Sequence, residues 1–488
     1  MEHTEPPAPP DPGDFSQPLS PALADLAGLT LFRDCKAHPL LRSFRLLLEE
    51  WAALSPDPPP PGRGAGKAFR EDSPRKDPAL ALLRRWAAFI RALGEARPPA
   101  FFPCLRELAL NSGNPYTLAA ERGEEGRSAL LARLAEDDLN RLGRLAAFDV
   151  PVLGFSIARF LRSRGLEEAA AALEAAARTL WREEGRERGP GEASGPPPPP
   201  GSGLFPPDRP WGDSLEAFAA HIRRRGAGFL GCHSFFRWIP SGETGTPGFP
   251  RPVRSPDPVS LADLAGYRDQ RAAVINNTLS FLEGSANNLL LYGDRGTGKS
   301  ATVKAVCREY GGRGLRLLEL RKEDAAEFPA VLEFIASRGL RFIIFIDDLS
   351  FESLDDSFTG LKALLEGGVE VLPRNALIYA TSNRRHLLRE SPADRSAAPE
   401  KGDLRPFDTV QEQLSLADRF GLTLFFTAPS REEYLEIACF IAERRGLAPD
   451  GGFREKALRW EQWFNGRSPR TASQFVDCLK GGRPLPWD

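Results

Sequence analysis

Gly293-Asp294-Arg295-Gly296-Thr297-Gly298-Lys299-Ser300 is a complete G-x-x-x-x-G-K-[ST] phosphate loop. The apolar run from Asn288 to Tyr292 before it reads as a buried strand, and Lys299 to Tyr310 after it as a helix. Glycines in such a loop let the backbone curl until successive N–H groups point at phosphate oxygens, while the following helix turns the positive end of its dipole to the same anion. The order strand, loop, helix therefore predicts a bound nucleoside triphosphate. Lys299 would reach the β and γ phosphates, and Ser300 would give a hydroxyl to Mg²⁺. The candidate nucleotide-binding residues are Gly293, Asp294, Arg295, Gly296, Thr297, Gly298, Lys299, Ser300 and the next residue, Ala301.

About fifty residues downstream, Phe342-Ile343-Ile344-Phe345-Ile346-Asp347-Asp348 is an apolar strand ending in two carboxylates. A parallel sheet brings the carboxyl end of such a strand beside the loop, so Asp347 is the candidate to hold Mg²⁺ with Ser300, and Asp348 the candidate to orient and polarise an attacking water. By itself the pair is equally well an acidic turn at a strand end. Ala376 to Thr381 is a further strand, and Asn383 just beyond it offers an amide to the water or the γ phosphate. A guanine-reading [NT]-K-x-D string is missing, since Arg321-Lys322-Glu323-Asp324 lacks its first residue.

These strings resemble the AAA+ ATPases over about residues 259 to 480. Gly293 to Ser300 looks like their Walker A motif and Phe342 to Asp348 like Walker B, with Asn383 in the place of the polar sensor. The resemblance implies ATP as the nucleotide with Mg²⁺. It makes Arg419, in Leu416-Ala417-Asp418-Arg419-Phe420-Gly421, the candidate arginine finger, and Arg470, at the start of a late helix, the candidate second sensor. Before position is considered, either arginine reads more readily as a surface or salt-bridge residue; placement after the sensor strand and at the start of a lid helix reverses that preference. Leu261 to Tyr267 resembles the segment that lines the adenine pocket. A finger acting on a neighbour's nucleotide implies a homo-oligomer, a ring and by resemblance a hexamer. More narrowly, Ile346 to Glu352, Thr381 to Leu387 and Leu414 to Leu422 are similar to a bacterial AAA+ family known only as a domain of unknown function, akin to helicase-loader and transposition-helper ATPases. One departure matters: most active relatives carry glutamate where this chain has Asp348. Its shorter side chain predicts slow hydrolysis, with Glu352 as a possible substitute, because a general base must come within about 2.6–3.2 Å of its water.

With 488 residues the chain exceeds one ordinary core. A net charge of −2 supplies no global field for nucleic acid or membrane. Arg223-Arg224-Arg225 and Arg384-Arg385 are too short to track a phosphate backbone, so nucleic acid binding has no support of its own and a protein client is the alternative. Six cysteines without a C-x-x-C pair suggest neither a zinc site nor a disulfide framework. The chain's start lacks a secretory pattern and no stretch is long enough to span a bilayer, which makes the cytoplasm the expected location.

The expected fold class is α/β: a P-loop parallel sheet with a C-terminal helical lid, preceded by a mainly helical region. Residues 1–15 read as a disordered tail, 16–186 as helical, 187–212 as a Pro/Gly-rich linker, 213–258 as a connecting segment, 259–428 as the nucleotide-binding core and 429–488 as the lid. Helical periodicity runs from Pro18 to Leu54, Ala79 to Leu93, Ser128 to Phe148 and Leu153 to Glu184. In the connecting segment, Ser234 to Pro240 reads as a strand and the stretch to Pro258 as loop. Core strands are expected near 289–291, 315–320, 342–346, 376–380 and 422–426, with helices near 299–310, 326–338, 356–366 and 384–390. Three lid helices are expected at 431–445, 454–464 and 470–479. The function these readings imply is an ATP-driven switch or remodeller, with an ATP-gated scaffold of negligible hydrolysis as the alternative.

Overall fold

A computed structural model describes residues 19–54, 77–96, 100–188, 203–242, 246–349, 372–383, 420–464, 466–482 and 485–487. Arg419, Glu352, Arg384, Arg385 and the helices expected at 356–366 and 384–390 lie outside these residues. The chain divides into two compact units, one of Met1–Arg223 with Ala227–Gly231, the other of Arg224–Gly226 with Cys232–Asp488.

The first unit is helical. Its helices are α1 (Leu19–Gly28), α2 (Arg33–Ala37), α3 (Pro39–Leu54), α4 (Pro78–Glu95), α5 (Phe101–Leu110), α6 (Pro115–Glu121), α7 (Ala129–Ala146), α8 (Val150–Ser163) and α9 (Glu167–Arg188), followed by α10 (Leu215–Arg225) and the short α11 (Phe229–Cys232) at the junction. Several begin on a side-chain cap: Asp77, Asn114, Ser128 and Asp149 each accept a backbone N–H of the first turn. The segment expected as one helix from Leu153 is two, parted at Gly165, whose φ of +76° ends α8 in the manner of a left-handed cap. Phe44, Phe89, Phe101 and Phe148 meet at the centre, with Phe44 4.7 Å from Phe101 and 5.2 Å from Phe148. Phe205 and Trp211, within the stretch read as linker, are buried in this same core and stack at 4.8 Å. Their aromatic area is withdrawn from water despite the prolines around them.

Among the described residues the second unit is built on one seven-stranded sheet: β1 (Phe235–Ile239), β2 (Phe249–Pro252), β3 (Leu289–Gly293), β4 (Leu315–Glu319), β5 (Arg341–Ile346), β6 (Ala376–Ser382) and β7 (Leu422–Phe426). Their order is β2-β1-β4-β5-β6-β3-β7, parallel throughout except for the β1–β2 hairpin at one edge. β2 falls in the stretch read as loop. β5 and β6 are buried almost from end to end, as apolar runs covered on both faces should be. The sequence reading missed α12 (Arg268–Glu283), which precedes the loop strand; α13 (Lys299–Tyr310) follows the loop, and α14 (Phe328–Ala336) follows β4. The last three helices, α15 (Arg431–Arg444), α16 (Phe453–Trp463) and α17 (Pro469–Lys480), enclose a small core of their own around Tyr434, Trp460 and Phe475.

Strand order places β6 between the loop strand β3 and the acidic strand β5. The two expected halves of the site therefore meet across the end of β6.

Candidate functional site

The phosphate loop leaves β3 at Gly293, whose φ of +128° few side chains tolerate. A Cβ there would lie 2.2 Å from the carbonyl oxygen of Phe426, the acceptor of the Asp294 N–H at 2.9 Å. Asp294 in turn accepts from the backbone N–H of Ala428 at 2.7 Å. The loop is thus tied at its root to the end of β7. At its apex, Gly296 (φ +78°) has room for no Cβ, which would meet Ser468 Oγ at 2.9 Å, and its carbonyl accepts the N–H of Arg470 at 3.3 Å. The first turn of α17 thereby rests on the loop.

Lys299, at the start of α13, is only 4% exposed. Its ammonium donates to the carbonyls of Gly293 at 3.0 Å and Asp294 at 2.7 Å. Burial pulls its pKa down to about 8, against the opposing pull of Asp294, Asp347 and Asp348 and with a smaller push from Arg470. It is a cation held by neutral carbonyls, where an anion would stabilise it more.

Ser300 Oγ and Thr381 Oγ1 both donate to Oδ1 of Asp347, each at 2.6 Å. Thr381 Oγ1 also accepts the N–H of Asp348 at 3.0 Å, and the Thr381 carbonyl accepts the N–H of Leu349 at 2.7 Å. Asp348 sits in the left-handed region at φ +55°, and its Oδ1 accepts from Asn383 Nδ2 at 2.6 Å. An aspartate tolerates that backbone better than most residues do.

These groups open onto one cleft of about 1010 Å³. Arg295, Gly296, Thr297, Gly298, Lys299, Ser300 and Ala301 line it, as do Asp347, Asp348, Asn383 and Arg470. Gly293 and Asp294 do not; they act from beneath, through their carbonyls. The other end of the cleft is formed by Leu264, Ala265 and Tyr267 with Ile441 from α15. There Tyr267 packs on Phe426 with ring centres 5.0 Å apart and donates its hydroxyl to the carbonyl of Thr427 at 2.7 Å. Arg444 of α15 pairs with Asp263 at 2.7 Å, and Ser260 and Arg444 together hold the Asp263 carboxyl down at about 2.

The sequence reading missed Thr381, Arg271, Arg444 and Arg445 in the cleft wall. For Thr381 a signal was present: side chains alternate along a strand, so Thr381 shares the face of Asn383, while Ser382 points to the opposite face. Among the described residues no cluster of His, Cys, Asp or Glu gathers into a ready-made metal cage, and no helix is long and apolar enough to cross a membrane.

A mostly parallel sheet with a phosphate loop after its next-to-edge strand β3, an acidic strand end on the far side of β6 and three C-terminal helices, the last resting on the loop, make up the fold of the AAA+ ATPases. Residues 232–483, more than half the chain, match the family described as "Protein of unknown function (DUF815)", and the chain belongs to that family. It is also similar to replication factor C subunit 3 of Oryza sativa subsp. japonica, 33% identical over 124 residues. That match covers 22% of this chain and spans a third of the rice protein's length, 33%. Among solved structures, the RuvB Holliday junction branch migration motor of Thermotoga maritima aligns at 16% identity and a TM-score of 0.31, covering 46% of this chain and 65% of that one. A mutant of the same motor aligns at 14% identity and a TM-score of 0.32, over 46% and 66%.

Proposed function

We propose that the cleft binds ATP with Mg²⁺ and hydrolyses it slowly, and that the chain works as an oligomeric switch on a protein client. What supports this most is the bond from Ser300 Oγ to Asp347 Oδ1 at 2.6 Å, which joins two motifs 47 residues apart. Ser300 and Asp347 present hard oxygen donors side by side, as Mg²⁺ requires, and the glycines at 293 and 296 let the loop backbone pack closely against Phe426 and Ser468. The bound ion would neutralise charge on the phosphate oxygens. Lys299 binds the same oxygens, exchanging loop carbonyls for anionic partners. Asp348 accepts the proton of a water held by Asn383, and Arg470 offers a cation from the lid side. Arg419 would serve a neighbouring copy's nucleotide in a ring. The helical first unit, with a core independent of the sheet, is the part that would recruit the client.

Calorimetry with ATP and Mg²⁺, set beside phosphate release by the wild type and by Lys299→Ala, tests the reading. Binding that is lost in Lys299→Ala, together with turnover, is expected; an inert wild type defeats it. Sedimentation with and without ATP addresses the ring, and a strict monomer in both conditions would remove Arg419 from its role in trans.

One observation favours the second reading, an ATP-gated scaffold. Asn383 grips the short Asp348 carboxylate at 2.6 Å, which keeps the acid engaged with the amide. Tight ATP binding without phosphate release would select that reading.

A further inference from the structure

Thr381 touches both acidic residues, and no motif singles it out. It is 2% exposed, at the end of β6, where the strand order sets it between the loop and the acidic strand. β6 pairs with β3 through Leu291 and Thr381 and with β5 through Ile346 and Ala380, so Asp347 comes level with Thr381 in the next step of the ladder. A threonine hydroxyl has one proton and two lone pairs. Here the proton goes to Asp347 Oδ1 at 2.6 Å and a lone pair takes the Asp348 N–H at 3.0 Å. Since Ser300 donates to the same Oδ1, that oxygen is held from two sides. The second bond acts on the backbone of Asp348, whose φ of +55° is uncommon for a residue with a side chain and needs such a restraint.

We propose that Thr381 is a positioning residue of the cation site: one hydroxyl fixes the Asp347 carboxylate toward Ser300 and, through the Asp348 N–H, the backbone that aims the second carboxylate. This deepens the ATP and Mg²⁺ reading above and rests on it. Carboxylates that bind metal are themselves oriented by outer hydrogen bonds, and losing such a bond weakens the grip on the ion. Valine has the shape of threonine without the hydroxyl and so removes both bonds at once. Serine keeps the hydroxyl and drops only a methyl group.

The experiment measures the affinity of full-length protein for a fluorescent ATP analogue in EDTA, then the Mg²⁺ concentration that gives half of the ion-dependent tightening, for wild type, Thr381→Val and Thr381→Ser. In EDTA all three should agree within about twofold, because the loop is untouched, whereas Thr381→Val should need about tenfold more Mg²⁺ and Thr381→Ser should stay close to wild type. Should the valine variant fail to fold, Thr381→Ala, which cannot clash, carries the same expectation. A valine variant with the wild-type Mg²⁺ requirement overturns the inference, and so does a serine variant as impaired as valine, since packing would then be the cause. If the wild type itself binds no analogue in EDTA or Mg²⁺, the nucleotide reading falls and takes this inference with it, an outcome visible without any variant.

Discussion

Asn383 donates from Nδ2 to Oδ1 of Asp348 at 2.6 Å, so the amide at the end of β6 holds the carboxylate at the end of β5. A carboxylate offers about four lone-pair sites, so the bond to Asn383 leaves Asp348 others for the water of the proposed hydrolysis. Replacing Asp348 by asparagine preserves the shape and the bond while removing the base. The expected outcome is undiminished ATP affinity with turnover reduced about 100-fold or more, the span general-base removal commonly produces. Phosphate release alongside equilibrium binding checks it, and unchanged turnover would take the base role from Asp348.

Lys299 yields a pH dependence whose sign is fixed by its burial. In the free protein its pKa is lowered to about 8, whereas phosphate oxygens favour the protonated form and raise it again. Binding above pH 8 therefore takes up a proton. Affinity for ATP should be level below about pH 8 and then fall by up to about tenfold per pH unit above it. For folding alone the sign is opposite: the native state holds fewer protons than the unfolded chain between about 8 and the ordinary lysine value of 10.5, so the Lys299 contribution to stability improves with rising pH there. Calorimetry in buffers of different ionisation enthalpy reads the proton uptake. A pH-independent affinity from 7 to about 9.5 would mean that Lys299 is not the group meeting the phosphates.

Much of this site was legible because its strands are apolar runs ending in the chemistry: Leu289 to Gly293 before the loop, Phe342 to Ile346 before the aspartates, Ala376 to Thr381 before Asn383. What escaped did so for particular reasons. Phe249-Pro250-Arg251-Pro252 forms β2 although two prolines cannot donate to a ladder, and it does so at the sheet edge, where proline is tolerated. The helix Arg268–Glu283 carries Asn276 and Asn277 mid-span and buries only Val274, Thr278 and Phe281, too thin a stripe to stand out. Thr381 needed the pairing of three strands before its hydroxyl had anything to touch. The turning of Lys299 onto its own loop carbonyls is a matter of angles that no spacing encodes.

Asp263 and Arg444 join the segment before α12 to helix α15, and both are about half exposed. A solvated pair of this kind contributes at most about 1 kcal/mol, so Arg444→Ala should leave unfolding midpoints nearly unchanged at neutral pH. The Asp263 carboxyl sits at about 2 in the folded protein against 3.8 as a free side chain, which means that its contribution is present above about 4 and is lost as the pH falls toward 2. Urea unfolding of wild type and Asp263→Asn should differ slightly at pH 7 and converge near pH 2. A difference that grows on acidification would reverse the assignment.

Trp211 is 1% exposed and stacks on Phe205, with Phe102 edge-on at 6.0 Å, and its indole lies 3.0 Å from where a Cβ on Gly143 would stand. A residue in a true linker would be replaceable without consequence. Here Trp211→Ala opens a cavity inside the helical unit, and core losses of this size cost about 3–5 kcal/mol. Gly143→Ala brings a methyl against the same ring, a crowding that the gain of about 1 kcal/mol from replacing a mid-helix glycine offsets, so its net effect should be much smaller than that of Trp211→Ala. Both belong to the first unit, so thermal unfolding of Trp211→Ala should show an early transition for that unit while nucleotide binding by the second survives. Coincident loss of ATP binding at the same temperature would show that the two units unfold as one. A melting curve unaffected by Trp211→Ala would return residues 203–212 to the status of a tether and leave the burial of Phe205 and Trp211 without energetic weight.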